Sequence, residues 1–98
     1  MELSSDIDAT LSAAAGGDAG LQEELRQAFI ESVSVQADLL TRSRCDGNWR
    51  MAAARLKAVA ASFHAVNLMQ LADEALVCAP GDPVALRAIR QAIGQLRR

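Results

Sequence analysis

Few side chains in this sequence are equipped for chemistry. His64 is the only histidine, and an imidazole that titrates near neutrality can act as a nucleophile or proton carrier. Cys45 and Cys78 are the only cysteines. With a single histidine they complete no zinc site unless carboxylates join, and no ligand spacing suggests one. Glu23-Glu24 and Asp73-Glu74 are carboxylate pairs, which on helical faces are usually solvated. No glycine-rich phosphate loop and no nucleophile–base pair occurs. The residues alone therefore predict no enzyme, no metal site and no cofactor.

The elements that carry these residues read as helices. The 98 residues make one domain, 1–98, long enough to bury well over half its surface. About half of them (51%) are apolar, with only two Phe, one Trp and no Tyr. Alanine and leucine carry the apolar load, which suits helices packed through small and aliphatic side chains. Helical periodicity breaks at Gly16-Gly17-Asp18, at Cys45-Asp46-Gly47-Asn48 and at Pro80-Gly81-Asp82-Pro83.

The leading segment, 1–17, predicts a short helix capped by Ser4 or Ser5. Asp18 caps a long helix whose apolar face is Leu21, Leu25, Phe29, Val33 and Leu40. A third helix starts at Trp49, which anchors one end of the fold, and carries Leu56, Ala60 and Phe63 on one stripe. Helical pattern continues through Leu68, Leu71, Ala75 and Leu76, with a bend near residues 64–67. Met51 and Met69 read as core or groove filler. Asp82 caps the last helix, Pro83 takes its first position, and Leu86, Ile89, Ile93 and Leu96 face inward. Nothing alternates with period two. The expected fold is all-α: an antiparallel four-helix bundle over 18–98 with a short leading N-terminal helix.

The formal charge of −2 predicts no nucleic-acid partner. The one local basic excess is Arg87, Arg90, Arg97 and Arg98, which reads as complement to a helix dipole. No signal peptide and no apolar run of spanning length is present. Two widely spaced, unpaired cysteines fit a reducing compartment. These features predict a cytoplasmic protein without membrane contact, as a monomer or weak dimer.

Residues 54–68 carry a family pattern. They read Ala-Arg-Leu-Lys-Ala-Val-Ala-Ala-Ser-Phe-His-Ala-Val-Asn-Leu. This resembles the signature of the histidine phosphotransfer (HPt) domain: His-x-Leu-Lys-Gly, five variable residues, then Gly-Ala-x-x-Leu. Leu56, Lys57, Ala65 and Leu68 match. Ala54 stands at the phosphoacceptor histidine, and Ala58 and His64 stand at the two glycines. The segments "DAGLQEELRQAFIE", "NW" and "GDPVALRAIRQAIGQL" extend the resemblance from Asp18 onward. Anchoring on Trp49 instead would slide the acceptor position onto Lys57. Neither register supplies a histidine.

The resemblance implies a module of two-component phosphorelay signalling, in which a phosphoryl group passes between an imidazole and a receiver-domain aspartate. A methyl group at Ala54 cannot accept it. Ala54, Lys57, Ala58 and Ala61 fall on one helical stripe, with Arg55 beside it and Lys57 as a cation at its middle. The expectation is a non-catalytic face that docks the receiver domain of a response regulator, or a histidine kinase, without taking phosphate. His64 is the alternative acceptor. On a continuous helix it would lie about 80° around and about 15 Å along from Ala54, so it does not replace the lost histidine in place. Two other readings are an active phosphotransfer protein altered from histidine at Ala54, and a structural helical adaptor.

Overall fold

The structure is a computed structural model that describes residues 3–97, with side chains from Ile7 onward. Its helices are α1 (Leu3–Ala15), α2 (Ala19–Arg42), α3 (Asp46–Ser62), α4 (Val66–Leu76) and α5 (Pro83–Leu96). No strand occurs among the described residues.

Short polar residues set the helix starts. Asp18 Oδ1 accepts the Leu21 N–H at 3.1 Å and opens α2. Asp82 Oδ1 accepts from Val84 N–H at 2.9 Å and Ala85 N–H at 3.1 Å, with Pro83 inside the first turn of α5. Each such cap is worth about 1 kcal/mol. The start of α3 differs from expectation. It begins at Asp46, one turn before Trp49, because a carboxylate in the first turn is favourable against the helix dipole. Ser4 and Ser5, expected as caps, fall inside the first turn of α1; their side chains lie outside the described residues.

The bend expected near residues 64–67 is a full stop. Ala65 N–H bonds to Ala60 O at 2.9 Å, and His64 N–H to Ala61 O at 3.2 Å. This paired pattern is a Schellman motif, which needs a left-handed residue at its turning position. His64 fills that position with φ 57°, the only positive φ at a non-glycine among the described residues. Ala60 and Ala65, which touch across such a motif, are both fully buried.

Helices α2, α3, α4 and α5 each pack against two of the other three, in that cyclic order, while α2 and α4, like α3 and α5, stay apart. Cross-links fix their directions. Phe29 near the start of α2 meets Phe63 after α3, ring centroids 4.6 Å apart. Trp49 at the start of α3 donates from Nε1 to Ala75 O at the end of α4, at 2.7 Å. Arg97 donates to Ser34 Oγ at 2.9 Å and Arg90 to Asp38 Oδ1 at 3.3 Å, which runs α5 against α2. Consecutive neighbours are therefore antiparallel.

The leading helix contributes more than the sequence suggested. At 13 residues α1 is longer than α4 at 11, and it packs against α2, α4 and α5. Ile7 and Leu11 are fully buried. The Arg26 guanidinium joins Asp8 of α1 and donates to Leu96 O at the last turn of α5. Corrections fall on three inward assignments. Leu25 and Leu86 are only partly buried, and Leu21 is 40% exposed. Phe63, just past the end of α3, meets α2 at Phe29, two turns beyond Leu21.

Trp49 is 1% exposed, so its single hydrogen bond lies in the core. Trp49→Phe keeps an aromatic ring and removes this donor, while the Ala75 carbonyl still accepts from Cys78 N–H at 3.0 Å. The expected cost is about 0.5–1.5 kcal/mol in urea denaturation followed by circular dichroism.

Candidate functional site

The candidate face lies on α3, whose inner side is held by Trp49, Ala52, Ala53, Leu56 and Ala60, all buried. The opposite side follows from the 3.6-residue period. There Ala54, Ala58 and Ala61 are exposed, as is Arg55. The predicted stripe is therefore a real surface of small side chains. None of its three alanines carries a nucleophilic atom.

Lys57 is not the free central cation expected. Its Nζ lies 2.7 Å from Asp73 Oδ1 on α4, with the two side chains 42% and 53% exposed. Helical geometry puts residue 57 nearer the α4 edge than residues 54 and 58. The neighbouring helix supplies a carboxylate there, which a helix read alone does not reveal. A pair this exposed contributes at most about 1 kcal/mol. Its larger effect is to hold the lysine at the rim and offset its charge.

The other edge of α3 carries Arg55. Arg55 and Arg42 line an open groove of about 320 Å³ between α2 and α3, with Leu39, Ser43, Asn48, Met51 and Ala52. Met51 is 52% exposed there, so it is groove and not core. Among the described residues Arg42, Arg44, Arg50 and Arg55 form no ion pair or hydrogen bond. The expected basic excess in the last segment is dispersed instead: Arg90 pairs with Asp38, Arg97 bonds Ser34 and Arg87 is exposed, while Arg98 lies outside the described residues. Residues 42–55 hold four arginines against the single carboxylate of Asp46, a count that was open to inspection in the sequence.

His64 stands off the helix. Its left-handed turn sets it beside α1, where Nδ1 lies 3.1 Å from Thr10 Oγ1. The helical estimate of its direction from Ala54 no longer applies, since α3 ends at Ser62. Cys45 and Cys78 are both free thiols. The Cys78 thiol is pushed above its ordinary pKa by partial burial, then by the Asp82 carboxylate and Glu74. Among the described residues no three His, Cys, Asp or Glu side chains gather to hold a metal. No helix among them is long and apolar enough to cross a membrane.

Two outcomes check this geometry. His64→Ala and His64→Gly both lose the Thr10 contact, but only alanine keeps a Cβ in the left-handed region. The glycine variant is expected to be more stable than the alanine variant by about 1 kcal/mol, read by thermal or urea unfolding. In a Cys45→Ser background, Asp82→Asn keeps a capping oxygen and removes the charge beside Cys78. The pH midpoint of Cys78 alkylation is expected to fall, with faster reaction at pH about 8.

No family model, curated protein or solved structure matches this chain.

Proposed function

We propose that this protein is a non-catalytic, HPt-like module of two-component phosphorelay signalling. It docks the receiver domain of a response regulator, or a histidine kinase, through Ala54, Arg55, Lys57, Ala58 and Ala61, and accepts no phosphate. The observation that carries this reading is the exposed Ala54 at the centre of α3, in the frame where the HPt pattern has its histidine.

Three features support the frame. The cyclic, antiparallel packing of α2 to α5, with α1 against α2, α4 and α5, suits a four-helix bundle with a leading helix. Leu56, Ala65 and Leu68, the apolar matches to the HPt pattern, are all fully buried. The second glycine of that pattern coincides with His64, and this position adopts the positive φ that glycine takes most easily.

The chemistry of such a face is exclusion. Small side chains let a partner's loops come close to the α3 backbone. Arg55 and the Lys57–Asp73 pair border the contact with polar groups. A partner held there meets no lone pair at residue 54, so its phosphoryl group stays where it is. Binding then competes with a true phosphotransfer protein, or favours one state of the partner. His64 does not stand in for residue 54, since it lies past the end of α3 and turns toward Thr10 of α1.

Calorimetry against a panel of receiver domains checks the docking. Binding is expected, weakened about tenfold by Ala58→Gln, which adds bulk at the centre of the face. Ala54→His should then gain an acid-labile phosphoryl group from a phosphorylated receiver that binds, whereas the natural chain gains none. Absence of binding to every receiver would overturn the reading, as would phosphate on the natural chain that His64→Ala removes.

A further inference from the structure

We infer that the groove between α2 and α3 is a second interaction surface, built to bind an acidic amphipathic helix of a partner protein. The inference is independent of the α3 docking face; the two share only Arg55 at their border.

The first observation is electrostatic. The chain as a whole carries −2, yet two cations without an ion pair face each other across this groove, while Arg87 stands apart on α5. Arg26, Lys57 and Arg90 are each paired with an aspartate. Arg42 and Arg55 are not, and they line one groove from opposite helices. Arg44 follows Arg42 in the connection and is exposed, whereas Arg50 lies about 140° around α3 from Arg55, on the side of Lys57. The only opposing charge in this stretch is Asp46. Exposed like charges close together repel, and an anionic partner relieves that repulsion.

The second observation is apolar. Between the two arginines lie Leu39, which is half-buried, and Met51, which is 52% exposed. Val35, one turn before Leu39 on α2, is 53% exposed. Leucine and methionine side chains left open between cations suit an apolar anchor flanked by carboxylates. The volume of about 320 Å³ admits one or two such anchors. A furrow between two antiparallel helices accepts the ridge of a third.

The same observations separate this occupant from other anions. No aromatic ring is open to stack on bases, because Trp49 and Phe29 are each 1% exposed and Phe63 is partly buried. The apolar strip is one groove wide, narrower than a membrane-inserting helix face requires. Guanidinium groups grip carboxylates in a planar, two-pronged fashion, and the open apolar strip beside them adds contact that a bare phosphate would not use.

The test uses the full chain, labelled for amide spectra. Its probe is a synthetic helix of about 18 residues with leucines along one face and glutamates flanking them. The peptide is expected to shift residues 39–43 and 48–55. Its affinity should fall at least about tenfold when Arg42→Gln and Arg55→Gln are combined, and several-fold between about 50 and 300 mM salt. Both arginines are exposed, and an unchanged amide spectrum of the free variant certifies its fold. Ala58→Gln should leave peptide affinity unchanged while weakening receiver binding, which separates the two faces. Equal binding of a peptide with lysines in place of glutamates would overturn the inference. So would shifts confined to other residues, indifference to the double substitution, or tighter binding of an oligonucleotide or a phosphatidylserine vesicle at the same arginines.

Discussion

The left-handed turn at His64 brings α4 back along α3, and the remaining packing depends on that reversal. The turn satisfies backbone groups that a helix end would leave open, through the bonds to Ala60 and Ala61. It also buries Ala65 against the start of α4, with Leu68 one turn further in. At the far end of the same pair, the Trp49 indole closes on Ala75. Lys57 and Asp73 link the two helices between these points. The α3–α4 unit is thus tied at both ends and across its exposed seam. The α2 and α5 helices complete the ring around it, and α1 covers the end where the turn lies.

Charge is distributed on a different plan. Where elements cross, cations are spent on joints: Arg26 between α1, α2 and α5, Lys57 between α3 and α4, Arg90 and Arg97 between α5 and α2. The end opposite α1 has no such use for its arginines. Its structural work is done by Trp49 and by Ser43, whose Oγ donates to Leu39 O at 2.8 Å. The arginines there join no such contact among the described residues.

Much of the fold was legible in the sequence, for local reasons. Asp18 and Asp82-Pro83 are helix starts that act through neighbouring N–H groups, so they can be read one segment at a time. The buried stripe of Leu56 and Ala60, and the inward Ile89, Ile93 and Leu96, follow from helical period alone. The misreadings required knowledge of a second helix. Lys57 looks free until Asp73 of α4 is set beside it. Leu21 looks buried until the neighbouring helices are in place, where it stays 40% exposed. The status of α1 turned on Arg26, whose partners lie 18 and 70 positions away. The candidate face is legible as a stripe of alanines and the arginines of 42–55 as a count, whereas the groove that Arg42 and Arg55 share needs the packing of α2 on α3.

The alanine at position 54 has a consequence for time as well as for chemistry. A phosphorylated histidine would keep a record of an encounter after the partner had left. A methyl group keeps none. Any occupancy of the α3 face rises and falls with the partner's concentration and ends when the partner dissociates. At this position the helix has no memory, and whatever it reports is reported only while it is being touched.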